Sequence, residues 1–517
     1  MSARVARLLL TLGILLVYAR SLDGDWVWDD HNLIAGNPLL REPAALWWTS
    51  VWESTGRRDD LYRPLVMSSF IWKNWIIHWP IVDRTINLAL HLAASLAVFG
   101  MVLGSGRRPA AAALATALFA FHPGVTEAVA WITGRHDLLP AVCVILAWGA
   151  LSRGREWAAA ALLGAAVFCK EPYLLAPVVP LVWGWSQGRH VPVAVLGSAA
   201  FSGHYLVVRE LIDLPLPASA ALTEPVGALG ALLCRALELA FVPGSADALP
   251  LYTPSTWLGV VGLLIGLGVL IGSRGRPWLA PLGGALVLLA PTAPASAQLG
   301  VVADRYFYLL FAALVPVVAY GLDRLPPRAL VALVWVPLGL GVSAGLRATD
   351  WRDDTSVFSA SYQRNPQNAQ AAFHLGVALQ RAGDCERAAP LLAQGGPVDR
   401  RASTNLQACL LHTGKWAEAA ALGEALWREH QDNINVARNT ARALTLTGEL
   451  DRARGWAETA VRLDPKKPRS LILLGNIQGQ LGQFDDAERS FRAALDVEPG
   501  SPLALHGLAA VARRRAE

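Results

Sequence analysis

Residues 86–104 read INLALHLAASLAVFGMVLG, nineteen positions without an Asp, Glu, Lys or Arg. Wound as an α-helix at ~1.5 Å per residue, the stretch reaches about 28 Å, close to the ~30 Å of hydrocarbon in a bilayer. It reads as a membrane-spanning helix. Comparable apolar runs occupy 5–20, 109–121, 138–151, 157–169, 173–186, 191–208, 256–272, 277–293, 306–321 and 328–346, which predicts about eleven crossings. Pro140, Pro177 and Pro316 fall inside runs, so tilted or broken helices are expected.

Composition points the same way. The 517 residues are 54% hydrophobic and only 16% charged, with a mean hydropathy of +0.36, which argues against an ordinary water-soluble fold. Charge is sparse up to about Arg347 and dense beyond it. The chain therefore divides into a transmembrane domain over 1–346, a linker over 347–367 and a soluble domain over 368–517. The predicted fold is all-α, a polytopic helical bundle followed by a helical solenoid.

Short cytoplasmic loops concentrate Lys and Arg. Arg4 and Arg7 precede the first run, and every second loop is then basic: Arg107 and Arg108, Arg153 and Arg155, Arg189 with His190, Arg274 and Arg276, Arg324 and Arg328. Tyr18 and Arg20 stand where a signal peptidase needs small residues, so the first run reads as an uncleaved anchor. The segment 224–243 carries Arg235 and Glu238 and reads as interfacial or re-entrant; if it crossed, everything after it would invert. With the N-terminus cytoplasmic, the tail lies outside, in a periplasm or an organelle lumen.

That tail repeats. In 475–499, Gly475, Gly482, Ala487, Phe491, Ala494 and Pro499 fit the small and aromatic positions of a tetratricopeptide (TPR) hairpin, where small residues let paired helices approach. A shift of 34 residues puts Ala441, Gly448, Ala453, Ala457, Ala460 and Pro465 on those positions. Ala408, Lys415 and Ala419, with Gly414 alongside, make a third copy, and Gly376, Gly383 and Ala388 a degenerate first. Three to four repeats would form a concave face suited to a peptide or protein, with a structural spacer as the blander alternative.

The five cysteines show no close pair and no zinc-type spacing with histidine. Cys143 and Cys169 fall within apolar runs and read as packing residues. Cys385 and Cys409 both lie on the oxidising side in this topology and are candidates to pair.

Ionisable residues held against a membrane are costly and mark function by default. They fall on one side: Asp25, Asp29, Asp30 and His31 after the first run, Glu127, Arg135, His136 and Asp137 after the third, Lys170 and Glu171 after the fifth, Asp304 and Arg305 before the tenth. Arg84, Asn87 and His91 add a stripe at i, i+3, i+7 on the second helix, readable as the wall of an outward cavity or as interhelical hydrogen bonds. Carboxylates mixed with cations at a lipid boundary suit transfer from a phosphate-bearing lipid to a water-side hydroxyl. One carboxylate would act as general base, and the cations would stabilise the departing phosphate.

Several motifs carry a family resemblance. Trp28-Asp29-Asp30-His31, Gly36-Asn37-Pro38 and Tyr62-Arg63-Pro64, then Phe121-His122-Pro123, Glu127-Ala128-Val129-Ala130-Trp131, Gly134-Arg135, Asp137-Leu138-Leu139, Lys170-Glu171 and Ala303-Asp304-Arg305-Tyr306 follow one another. In that order they resemble the transmembrane and tetratricopeptide repeat-containing O-mannosyltransferases and their bacterial relatives. The resemblance implies a GT-C glycosyltransferase with a polyprenyl-phosphate sugar donor, a lumenal or periplasmic active site and an acidic base in the first outer loop. Asp30 and Asp29 match that base position, with Asp30 preferred and its neighbour orienting it. His31, Arg63, His91, Glu127, Arg135, Asp137, Lys170, Glu171, Asp304 and Arg305 are candidates for donor or substrate binding. Glu127, Arg135 and Asp137 read at least as well as an ion-pair network fixing the second loop. Trp26, Trp47, Trp48, Trp52, Trp72, Trp75 and Trp79 read as an interfacial belt.

Trp28 replaces the usual Tyr or Phe, and Gly124-Val125-Thr126 replaces more polar residues, which leaves the sugar open. No cofactor follows, a divalent cation being a candidate. Expected partners are the lipid-linked donor and a protein or glycan acceptor held by the TPR face, in a bacterial inner membrane rather than an endoplasmic reticulum. The alternative is a non-catalytic, membrane-anchored TPR scaffold for envelope proteins.

Overall fold

A computed structural model describes residues 1–50, 61–71, 79–214, 225–397, 399–429 and 431–516. Trp52, Trp72 and Trp75 of the expected belt lie outside the described residues. Of the others, Trp48 and Trp79 are well exposed, whereas Trp26 packs on an internal cluster. The chain forms two compact units, Met1–Ser361 and Tyr362–Glu517.

The first unit is helical and apolar. Its longest helix, Pro80–Gly104, starts on a proline whose missing N–H has no partner to lose there. It buries Arg84, Asn87, Leu88, His91, Ser95, Val98 and Val102, a single stripe at i+3 and i+4 spacing that faces the bundle. Among the described residues five helical segments are long and apolar enough to cross a membrane: Ala3–Leu22, Pro80–Gly104, Pro277–Leu299, Asp304–Leu322 and Pro327–Asp350. Pro109–Ala120 with Pro123–Ala130 makes a sixth if that pair, bent by 55°, is one span. This is an integral membrane protein, but eleven crossings are not confirmed. Glu156–Val167 and Val178–Gln187 have only 12 and 10 residues, too few for ~30 Å of hydrocarbon.

Prolines set the breaks. The Phe121-His122-Pro123 turn parts the bent pair, with the His122 ring accepting from Gly124 N–H at 3.1 Å, while Pro140 and Pro316 lie inside continuous helices. The segment expected to be interfacial forms the helix Pro225–Phe241, which meets Thr256–Gly272 backbone to backbone. A Cβ at Gly230 would lie 1.8 Å from the Ser255 carbonyl oxygen, and one at Gly259 1.8 Å from that of Val226. Only glycine permits the crossing.

The first loop is itself folded. Leu33, Ile34, Leu40, Leu46, Val66, Met67 and Phe70 form a buried cluster with Ile132 and Cys169, which fixes the loop to the second loop and to the turn before Lys170. The stretch 347–367, expected as a linker, is mostly helical. Trp335–Asp350 and Asp354–Arg364 run through it, and Trp351 and Phe358 are buried.

The described residues of the second unit form four helical hairpins, Ala369–Arg381 with Cys385–Gly395, Arg400–His412 with Trp416–Glu429, Ile434–Thr447 with Leu450–Leu463, and Pro468–Gln480 with Phe484–Val497, then the helix Pro502–Ala516. Each hairpin turns on a glycine in the left-handed region, Gly383, Gly414, Gly448 and Gly482, with φ between 75° and 86°. Gly414 is thus the turn residue of the second repeat, one position before the Lys415 of the sequence alignment.

Cys385 and Cys409 are buried on neighbouring helices with their sulfurs 2.6 Å apart. Dissolved dioxygen with copper phenanthroline as catalyst, the oxygen taking up the two electrons and two protons that the thiols give up, is expected to join them. Peptide mapping should then recover a linked pair, and two thiols still labelled after denaturation would contradict it.

Candidate functional site

The segments around residues 21–25, Ala130 and Trp351 meet at the start of the helix Pro80–Gly104. Arg84, one turn into Pro80–Gly104, organises them. Its guanidinium donates to the carbonyls of Ser21 and Ala130 at 3.0 and 2.9 Å, and of Asp25 and Trp351 at 2.6 and 2.8 Å. Three chain segments are held by one side chain. Asn87, a turn further on, donates to Trp131 and Ile132 carbonyls, and His91 lies between the Tyr308 hydroxyl at 2.8 Å and the Ala120 carbonyl at 3.0 Å. All three are buried. The stripe is interhelical bonding rather than a cavity wall, so His91, expected as a donor contact, has a packing position.

The first loop bears Trp28 at φ 57°, a left-handed conformation that costs a bulky residue energy and persists only when its surroundings enforce it. Here they do. Trp28 N–H donates to Asp354 Oδ1 at 2.6 Å, and its ring stacks on Trp131, which stacks in turn on Trp351. Asp354 also reaches His31 Nε2 at 3.2 Å, and Trp131 donates to the Val27 carbonyl.

This conformation separates the two adjacent carboxylates. Asp30 is fully buried and accepts from Val27 N–H at 3.0 Å, Thr133 N–H at 2.9 Å and the Thr133 hydroxyl. Asp29 is half-buried. Asp30, the acid preferred from the sequence, is thus enclosed by three donors that tie the loop to Thr133, and Asp29 is the more accessible of the two.

Burial pushes the Asp30 carboxyl up to about 7, against the pull of Thr133, Val27 and the charge of Arg84. A folded-state pKa above the unfolded one makes a stabilising contribution that is complete below the ordinary carboxylate range and disappears as pH rises through about 7. The thermal midpoint should thus fall between about pH 4 and 7 and level off above that, and Asp30→Asn should lower the midpoint at acidic pH while flattening that slope. An unchanged slope in the variant would assign the titration elsewhere.

The remaining charged candidates form a chain of pairs. Arg63 grips Glu171 in a fork at 2.9 and 2.7 Å. Lys170 pairs with Asp137, Asp137 lies 3.3 Å from Arg305, and Arg305 pairs with Glu127, which also accepts Arg305 N–H at 3.1 Å. Arg305 and Lys170 flank the Tyr306 ring, and Arg305 covers Trp131 as well. Burial lowers the Lys170 ammonium to about 8, with Asp137 opposing. A small cavity opens here between Asp137, Lys170, Tyr173, Thr292 and Tyr306. Arg135 stands apart, pairing with Asp83 at 2.9 Å and Asn87 at 2.7 Å beneath Phe70.

Asp304 does not join that chain. It accepts from Arg235 at 2.7 and 2.8 Å and from Asp247 N–H, with Arg347 at 3.6 Å. Arg235, Arg347, Asp83 and Asp354 were missed as site residues. Charge alone could have flagged the first three, which are ionisable residues in or beside apolar stretches. Among the described residues no three His, Cys, Asp or Glu are grouped to hold a metal ion.

The first unit thus carries a folded first loop near paired cations, and the second unit is a TPR domain. Tetratricopeptide repeat family models match residues 410–477 and 472–516. Protein O-mannosyl-transferase TMTC4 of Mus musculus is 35% identical over 165 residues, 28% of this chain and 22% of the relative. Protein O-mannosyl-transferase Tmtc2 of Drosophila melanogaster is 28% identical over 279 residues, 48% of this chain and 27% of the relative. The chain thus spans about a fifth of the length of the curated relatives it matches. A crystal structure of MamA aligns at 18% identity with a TM-score of 0.27, over 28% of this chain and 86% of that one. These sequence matches support a TMTC-like family with a TPR domain.

Proposed function

We propose that the protein is a GT-C glycosyltransferase that moves a sugar from a polyprenyl-phosphate donor to a hydroxyl of a protein or glycan. The carrying observation is that Arg63, Lys170 and Arg305 converge at the end of the bundle where the first loop holds a half-buried acid. Relatives named O-mannosyl-transferases support the same reaction class. Asp29 takes the acceptor proton, the acceptor oxygen attacks the anomeric carbon, and the bond from that carbon to the donor phosphate breaks. The polyprenyl phosphate departs with the bonding electrons, and its charge meets Lys170, Arg305 and Arg63. Donor phosphate thereby replaces part of the pairing these cations have with Asp137, Glu127 and Glu171.

In this reading the site faces a bacterial periplasm, the N-terminus is cytoplasmic, and the TPR unit supplies the acceptor. One observation favours the scaffold alternative: each of the three cations is already matched by a carboxylate, as in a purely structural network. Proteoliposomes loaded with labelled polyprenyl-phosphate sugars decide between the two. Release of polyprenyl phosphate that depends on acceptor supports the enzyme; no release with any sugar or acceptor leaves the scaffold.

A further inference from the structure

The basic loops meet at a second site. Arg107, Arg153, Arg189, His190, Arg276 and Tyr320 line one cavity of about 720 Å³, within the ~300–1,000 Å³ usual for ligand sites. Its residues come from the far ends of the helices that carry the charged loops at their near ends. Pro80–Gly104 runs from Arg84 to Gly104, Arg135–Ser152 from Arg135 to Ser152, and Tyr308–Leu322 from Tyr308 to Tyr320. The twenty helical steps from Arg84 to Gly104 span about 30 Å, the thickness of a hydrocarbon core. The cavity therefore lies a bilayer away from the outer-loop site.

Its charge is unbalanced. The acidic lining residue, Glu156, is committed to the start of the helix Pro192–Leu211, accepting from Val193 N–H at 2.9 Å and Ala194 N–H at 3.2 Å. Arg107 is matched by Asp323 at 3.5 Å, and Arg153 donates to its own helix at the Gly149 carbonyl. Among the described residues the side chains of Arg189 and Arg276 have no hydrogen-bond or ion-pair partner. Trp278, also in the lining, stacks on Tyr320 at 4.3 Å and closes one wall. Guanidinium groups from separate loops, turned into one concave site at membrane-interface depth, match an anion with several acceptor oxygens.

We propose that this cavity binds a phosphate-bearing anion, held by Arg189 and Arg276. The headgroup of an anionic phospholipid and a free phosphate share that chemistry, and the test separates them. Native mass spectrometry of the full chain in detergent, titrated with phosphatidylglycerol or phosphatidylcholine, reads lipid retention directly. Retention of one phosphatidylglycerol at least about tenfold tighter than phosphatidylcholine is expected, lost in Arg189→Ala/Arg276→Ala and kept in Arg155→Ala/Arg274→Ala, whose residues do not line the cavity. If inorganic phosphate displaces that lipid, with the same dependence on Arg189 and Arg276, the phosphate group alone is recognised; if it does not, the lipid is the ligand. Equal retention of both lipids without phosphate binding, or equal loss in both double variants, overturns the proposal. Unchanged thermal midpoints in both double variants exclude misfolding as the cause.

Discussion

Asp29→Asn is expected to lower sugar transfer by about 10²–10⁴-fold, the range supplied by a general base, with little change in thermal midpoint. The expectation rests on access. Trp28 is forced into a left-handed turn by Asp354 and by the Trp28–Trp131–Trp351 stack, which turns Asp30 inward to Thr133 and leaves Asp29 half-buried. Asp30→Asn should instead lower stability, because the amide cannot accept from all three donors that the carboxylate engages. The pair of variants therefore separates base from support. Loss of turnover in Asp30→Asn with full turnover in Asp29→Asn would reverse the assignment.

Arg84→Ala is expected to destabilise the membrane unit on the order of 4 kcal/mol, through loss of charge-assisted bonds to carbonyls left with fewer donors. The donors reach Ser21, Asp25, Ala130 and Trp351. The loss would loosen the first loop, the second loop and the last helix of the bundle together. Arg84→Lys should recover only a fraction, because an ammonium cannot reproduce the planar fork. Thermal midpoints in detergent measure both variants, and a shift of under a degree in Arg84→Ala would contradict the stapling role.

Much of the fold was legible because it is periodic. The run 86–104 declares a span by length alone, and the 34-residue spacing of Gly448 and Gly482 marks hairpin turns that the structure places in the left-handed region. The basic loops were legible as a group, and four of their arginines do line one cavity. Span number was not, since an apolar run of 12 residues reads alike whether it crosses a membrane or packs inside a bundle.

The site was legible as a list of residues but not as an arrangement. Arg63 with Glu171, Arg235 with Asp304 and Trp28 with Asp354 join residues 108, 69 and 326 positions apart, and such pairings leave no local signal. Periodicity put Arg84, Asn87 and His91 on one face correctly. It could not tell an open wall from a buried seam, because both need the same i, i+3, i+7 spacing.

One assay decides whether the first-loop acid works on a lipid-linked sugar. Wild type and Asp29→Asn are reconstituted in proteoliposomes with labelled polyprenyl-phosphate sugars and an acceptor pool, and release of polyprenyl phosphate is followed. Wild type should show acceptor-dependent release, and Asp29→Asn a loss of about 10²-fold or more. Equal release by both would contradict that role.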